Sequence, residues 1–173
     1  MEIRTATLSD LSAVAAVEAA CFPLAEAATE KQFAARLRAF PSHFWLLEDE
    51  GKLIAFADGM VTNEPAIRDE MYADALLHRE NGAWQTVFGL NTLPEYRRRG
   101  CAALLINRIT ADAKAQGRKG CILTCKEELI AYYQRFGYRT LGISQSVHGG
   151  VIWHGNLGHR APRSGGGGEC RPH

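Results

Sequence analysis

The chain has 173 residues, 46% of them hydrophobic and 23% charged, the size and balance of one soluble globular domain rather than a disordered or collagen-like chain. Twenty basic residues against nineteen acidic leave a net charge of +1, which argues against a nucleic-acid partner held by bulk positive charge. No apolar run is long enough to span a membrane, so no membrane association is expected. Met1-Glu2-Ile3-Arg4 lacks a basic stretch leading into an apolar run, so a cytoplasmic protein without a signal peptide is expected.

In chain order, Ile3 begins a short strand, and Thr7-x-x-Asp10 has the spacing of a capping box. Leu11, Val14, Ala15 and Phe22 then recur at helical spacing until Pro23 interrupts. A second start, Thr29-x-x-Gln32, opens a helix whose apolar face is Phe33, Leu37 and Phe40. Residues 44–48 and 52–61 read as two strands joined at Asp49-Glu50-Gly51, a hairpin. The polar stretch 62–83 carries a short helix around 69–77. Thr86 to Leu93 reads as a strand ending at Pro94, and Gly100 or Cys101 begins a helix to Gln116 with Leu105, Ile109 and Ala113 buried and Gly117 as its stop. A strand over 120–124, a helix over 127–136 closed by Gly137, and strands over 138–143 and 147–154 complete an α/β or α+β sandwich.

Beyond residue 154 the composition changes. Residues 155–173 hold a four-glycine run and few apolar side chains, and Arg160, Arg163 and Arg171 against Glu169 give them +2. Such a segment cannot bury enough surface to offset its ordering entropy, so a domain over 1–154 followed by a flexible tail is expected. Five cysteines (Cys21, Cys101, Cys121, Cys125 and Cys170) are odd in number and include no CxxC pair, so reduced thiols are expected. His148, His154, His159 and Cys170 match no common zinc spacing, and no metal is expected.

The chemistry concentrates in Leu90-Asn91-Thr92-Leu93-Pro94-Glu95-Tyr96-Arg97-Arg98-Arg99-Gly100-Cys101-Ala102, where a strand runs into a basic turn and the turn opens directly into a helix. Free N–H groups and the dipole of a helix N-terminus make an anion site, arginines suit phosphate oxygens, and Gly100 permits close backbone approach. Tyr96 to Lys119 holds seven basic residues and one acid, the right sign for a strongly anionic ligand. Neither the triphosphate-binding nor the dinucleotide-binding glycine pattern is present.

Arg97-x-x-Gly100-x-Ala102 after a strand resembles the acetyl-coenzyme A pyrophosphate signature of the GNAT N-acetyltransferase superfamily, and the order of elements over residues 2–154 agrees. Leu123-Thr124-Cys125 and Tyr132-Tyr133-Gln134-Arg135-Phe136-Gly137-Tyr138, with Leu77-His78-Arg79 and Pro23-Leu24, resemble the branch of arylalkylamine (serotonin) N-acetyltransferases and their bacterial relatives. The resemblance implies a mostly antiparallel mixed sheet flanked by helices, with strands splayed at the cofactor site. It implies acetyl-CoA as co-substrate, with the backbone of Leu90, Asn91 and Thr92 along the pantetheine arm and Arg97, Arg98, Arg99, Gly100, Cys101, Ala102 and Ala103 around the diphosphate. Tyr133 would protonate the leaving thiolate, a phenol being protonated at neutral pH. Thr124 and His78 would border the acceptor.

The animal enzymes of that branch carry two histidines on the strand before the cofactor loop. Thr86 and Phe88 stand at those positions here, so the proton acceptor must lie elsewhere. His78, His148 or a water chain reaching Glu64 or Asp74 are the alternatives. Five acids against Arg68 and Arg79 over 64–80 would attract a cationic amine. Cys125 has no identifiable histidine partner for covalent catalysis. The expected function is acetyl transfer from acetyl-CoA to a small primary amine of arylalkylamine or polyamine type by a monomer or homodimer. The alternatives are a non-catalytic acetyl-CoA-binding sensor and an acetyltransferase acting on a protein N-terminus or lysine.

Overall fold

The computed structural model describes residues 1–148 and 151–157. Five helices and nine strands follow one another as β1 (Glu2–Thr5), α1 (Leu11–Cys21), α2 (Glu30–Ala39), β2 (Phe44–Asp49), β3 (Lys52–Asp58), β4 (Val61–Thr62), α3 (Asp69–Ala73), β5 (Trp84–Val87), β6 (Gly89–Thr92), α4 (Cys101–Ala115), β7 (Gly120–Cys125), α5 (Ile130–Gln134), β8 (Arg139–His148) and β9 (Val151–Leu157). Strands β1-β2-β3-β6 form one sheet and β4-β5-β7-β9-β8 a second. Every pairing is antiparallel except β5 with β7. That one parallel pair needs a long crossover, which α4 supplies. Among the described residues no helix is long and apolar enough to cross a membrane.

The expected local signals act where they were read. The Thr7 amide donates to Asp10 Oδ2 at 2.8 Å, and Thr29 exchanges reciprocal bonds with Gln32 at the start of α2. Glu50 and Gly51 both take positive φ, 51° and 81°, so the two-residue turn twists with its hairpin. Three readings were too simple; in the first, the residues expected as one strand over 147–154 are split between β8 and β9, where Val147 pairs with Ile152 and His148 with Val151. The strand expected over 86–93 is two strands, β5 and β6, which break at Phe88 and pair in different sheets. The strand expected over 52–61 ends at Asp58, because Gly59 turns the chain hard against β5, where the Thr86 amide donates to the Met60 carbonyl at 2.9 Å. Strand β9 runs to Leu157, three residues past the expected domain end, and residues 158–173 of the expected tail, with His159 and Cys170, lie outside the described residues.

Helices cover both faces of the first sheet. Phe44 packs edge-on against Phe33 of α2, while its neighbour Trp45 donates Nε1–H to Asp112 Oδ2 of α4 at 2.8 Å. Successive side chains on a strand point to opposite faces, so α2 and α4 lie on opposite sides. The α4 stripe holds Leu105, Ile109 and Ala113 as expected, joined by Cys101 and Ile106. The core runs continuously through both layers, from Val14 and Phe33 to Ile122 and Tyr138.

A methyl group on Gly59 would land inside the Thr86 carbonyl group. Gly59→Ala is expected to destabilise the fold by about 3 kcal/mol, the upper range for overpacking, seen as a loss of several degrees in thermal denaturation. An unchanged Tm would show that the crossing of β3 onto β5 is looser than described.

Candidate active site

Two features lie along β6, one at each end. The first is a cleft of about 510 Å³ lined by Thr92, Tyr96, Arg97, Arg98, Gly100, Cys101, Ala102, Ala103, Tyr132, Arg135 and Phe136. Its floor is the start of α4. The first helical bond there is Leu104 N–H to the Gly100 carbonyl, so the amides of Cys101, Ala102 and Ala103 precede any intrahelical partner. Arg98 and Gly100 adopt left-handed φ values of 63° and 80°, curling the loop so that successive amides face one concavity. These residues fit a diphosphate: free amides, a helix dipole and three guanidinium groups (Arg97, Arg98 and Arg135) in one cleft.

Of the ten residues expected to hold the donor, seven line this cleft. Arg99 instead lies over the Tyr96 ring, 5.2 Å from its centroid, bracing the loop. Strand register separates the rest. The Leu93 amide donates to Ile54 across β3, so Gly89, Asn91 and Leu93 turn their backbone groups toward β3, and those of Leu90 and Thr92 face away, toward the gap left by the splay. The structure therefore corrects the reading of Asn91 as a backbone partner of the pantetheine arm, because its backbone is spent on β3.

The second feature is a small pocket of about 40 Å³, room for a few water-sized groups, lined by Glu18, Phe22, Glu26, Ala28, Arg36, Asp58, Tyr72, Phe88 and Gly89. It opens beside Phe88 and Gly89, where the splay begins. Arg36 and Asp58, both buried, pair at 3.0 Å, and Arg36 also donates to the Tyr72 carbonyl. Glu26 faces Lys126 at 3.9 Å. Glu18 is only 6% exposed and has no ion pair among the described residues; Asn91 Nδ2–H donates to it at 2.9 Å, and the Ala28 amide donates as well. Burial, reinforced by Asp58, pushes the Glu18 carboxyl up to about 7 against the opposing pull of Arg36 and the amide bonds.

The site thus contains a carboxylate that the pattern of motifs did not single out. Its signal lay in the stripe itself: Glu18 stands between Ala15 and Phe22 on the apolar face of α1, and a lone carboxylate there must be partnered or perturbed.

Tyr133 is buried, with its ring edge-on to Tyr132 at 5.1 Å, and burial, with Cys125 and Tyr132 nearby, drives its phenol well above the usual range, so it stays protonated. Thr124 is buried and bonds its hydroxyl to the Tyr72 phenol at 3.1 Å, one hydrogen bond from the pocket. Burial holds the Tyr72 phenol at about 12.

His78 is not brought to this pocket. Its Nδ1 accepts the Val61 amide at 3.0 Å, and its Nε2 meets Glu80 Oε2 at 2.7 Å. Nor do the acids of residues 64–80 form a free rim: Glu64 pairs with Arg68, Asp74 caps the Leu76 amide and Glu80 binds both His43 and His78. His43, His78 and Glu80 lie close enough to hold a metal ion, but the hydrogen bonds oppose it. With Nδ1 accepting an amide proton, neutral His78 carries its own proton on Nε2, the atom that would have to coordinate. Arg118 also stands 3.9 Å from Glu80. Among the described cysteines none forms a disulfide, and burial raises the Cys21 and Cys101 thiols.

With this geometry in place, the comparisons with known proteins are decisive on family. The profile of the acetyltransferase (GNAT) domain matches residues 41–140. The chain belongs to the GNAT acetyltransferase family. That family is named for acetyl transfer. Solved structures of similar fold include the GphF GNAT-like decarboxylase in complex with isobutyryl-CoA, at 23% identity and a TM-score of 0.80 over 94% of this chain and 100% of that one. The ribosomal-protein-S18-alanine N-acetyltransferase of Escherichia coli matches at 19% identity and 0.64 over 90% of each chain. The PaiA N-acetyltransferase of Thermoplasma acidophilum, in complex with coenzyme A, matches at 14% and 0.66 over 90% and 97%. Identities this low establish the shared fold. They single out no arylalkylamine branch within the family.

Glu18 also leaves a mark on stability. Its folded pKa, about 7, exceeds the ordinary 4.5, so its favourable contribution is full below pH 4.5 and is lost as pH rises through about 7. The shift of roughly 2.5 units corresponds to on the order of 3 kcal/mol. Glu18→Gln should therefore melt several degrees above the parent at pH 8, the gap closing toward pH 5. Equal gaps at both pH values would mean that Glu18 is not an uncompensated buried carboxylate.

Proposed function

We propose that this domain transfers the acetyl group of acetyl-CoA to a primary amine, with Glu18 as the proton acceptor and Tyr133 as the proton donor. The observation that carries this reading is a buried carboxylate that forms no ion pair among the described residues, in the pocket beside Phe88 and Gly89. An amine arrives mostly as ammonium and must lose a proton before it can attack a thioester carbonyl. A carboxylate titrating near 7 takes that proton at neutral pH, and an incoming ammonium is the charge partner that Glu18 lacks. The Arg97–Ala103 loop would grip the diphosphate, and the outward backbone groups of Leu90 and Thr92 would align the pantetheine arm so that the thioester lies beside Phe88 and Gly89. Tyr133, kept protonated by burial, would return a proton to the departing thiolate.

The pocket's size favours a slender acceptor, a small primary amine entering end-on, over a bulky branched one. A mixture of arylalkylamines, polyamines and a short peptide, incubated with acetyl-CoA and resolved by mass spectrometry, should yield an acetylated small amine. Product only on the peptide would transfer the reading to protein N-termini or lysines. Saturable acetyl-CoA binding without amine-dependent release of coenzyme A would mean a sensor. In the active enzyme, kcat/KM should rise with pH to a midpoint near 7. Glu18→Gln should lower it about 10²-fold or more at neutral pH, and Tyr133→Phe should lower kcat about 10²-fold while the KM for acetyl-CoA is kept. Unchanged turnover in either variant removes that residue from the mechanism.

A second reading rests on the fold match to a GNAT-like decarboxylase over that chain's full length. A carboxyl titrating near 7 is partly protonated at neutral pH. It could deliver a proton to the enolate left when an α-carboxylated acyl-CoA loses carbon dioxide. Malonyl-CoA incubated without any amine distinguishes the two: accumulation of acetyl-CoA supports decarboxylation, and intact malonyl-CoA excludes it.

A further inference from the structure

Asn91 makes the one bond that joins the donor-binding strand to the proposed proton acceptor. It is 2% exposed on β6, between Leu90 and Thr92, the two residues whose backbone groups face the cleft. Its Nδ2 donates to Glu18 Oε1 at 2.9 Å, and its own Oδ1, equally buried, has no partner. A buried amide oxygen left unpaired costs about 1–3 kcal/mol, whereas an apolar side chain of the same shape would fill this position without that cost. The amide thus serves Glu18 at the expense of its own satisfaction.

We propose that Asn91 is a positioning residue that fixes the Glu18 carboxylate to the donor strand, so that it meets the substrate amine in one orientation. This rests on Glu18 being the proton acceptor. The bond makes donor alignment and proton acceptance properties of one rigid strand. The pantetheine arm would run along the backbone of Leu90 and Thr92, and the side chain between them would hold the base on the adjacent face. The groups that face Glu18 are Arg36 from α2, Asp58 from β3, the Ala28 amide from the α1–α2 connection, Cys21 from its own helix and Asn91 itself. Arg36, Asn91 and Ala28 favour the charged form; burial and Asp58 oppose it.

The test compares the parent with Asn91→Leu, which keeps the volume and removes the donor, and Asn91→Ser, which restores a short donor should the leucine variant fail to fold. Folding is checked by near-ultraviolet circular dichroism and acetyl-CoA binding. Glu18 is titrated directly through carboxyl ¹³C NMR, which does not depend on activity. The expected result is an upward shift of the Glu18 midpoint by a unit or more in Asn91→Leu, matched by the acidic limb of kcat/KM. The KM for acetyl-CoA should stay within about twofold and kcat at pH 7 should fall at least tenfold, with Asn91→Ser intermediate.

A Glu18 midpoint and pH profile that stay in place, in whichever of the two variants folds, would overturn the proposal. So would an activity loss shared equally with acetyl-CoA affinity, which marks a merely structural role. The two ideas fail separately. An active Glu18→Gln removes the proton acceptor and this inference with it. An inactive Glu18→Gln beside an unmoved Asn91→Leu profile removes this inference alone.

Discussion

One strand cannot pair with two divergent neighbours along its whole length, and the chain from Trp84 to Thr92 resolves that conflict by breaking. Up to Val87 it lies parallel to β7; from Gly89 it lies antiparallel to β3. Phe88 stands at the break, its amide donating to the Asp58 carbonyl at 2.7 Å. Beyond it β6 and β7 are not paired, so the outward backbone groups of Leu90 and Thr92 face a gap in the middle of the protein. Unpaired backbone inside a fold is costly unless something fills it. The Thr92 carbonyl is partly served by Arg97 Nε and Cys21 Sγ, both at 3.3 Å. The cleft with its basic loop at one end of β6 and the Glu18 pocket at the other both follow from that divergence. The loop lies where β6 runs out and α4 begins; the pocket lies where β6 starts.

The charges around the pocket follow a different logic from that of a stabilising network. Arg36 and Asp58 are both nearly inaccessible, and a pair this deep repays its desolvation only through good geometry and further bonds. Arg36 obtains those from the Tyr72 carbonyl and from the rings of Phe33 and Phe88, which lie 5.4 and 5.0 Å from its guanidinium carbon. The pair is nearly neutral as a unit, although Arg36 Nε stays buried without a hydrogen-bond partner among the described residues. Glu18 stands beside it with amide donors and no cation of its own. The arrangement holds a carboxyl at the midpoint of its titration near neutrality, which a stabilising ion pair would not do. Stability is given up at the position where the proposed reaction needs a proton to come and go.

Much of this was legible in the sequence, because the rules involved are local. The caps at Thr7 and Thr29, the Glu50-Gly51 turn, the α4 stripe and the basic turn into Gly100 each depend on residues a few positions apart. The family resemblance rested on the same local run, and the profile match agrees with it. What escaped was set by distance along the chain. Whether Thr86 to Leu93 is one strand or two depends on β3 and β7, some 30 residues away on either side. Whether Glu18 is a surface carboxylate or a buried one depends on Asn91, 73 residues on. Helical spacing placed position 18 on the inner face, but spacing cannot say what a charge will meet there.

The same distance explains the missing histidines. Thr86 bonds the Met60 carbonyl at 2.8 Å, and Phe88 packs against Tyr72 and Arg36, so both positions are committed to holding the break open. His78 and His43 are tied through Glu80 into a separate cluster; Gln85 donates its amide to three carbonyls and thereby leaves its oxygen to accept from His43. An imidazole titrates near neutrality by its own chemistry. A carboxyl reaches the same range only when burial raises it, and α1 brings Glu18 to a place where burial does so. In the proposed reaction, one element of the fold thus supplies by environment what another lacks by residue type. A search confined to histidines on the cofactor strand cannot find such a site, whereas a search for unpartnered carboxylates on apolar helix faces can.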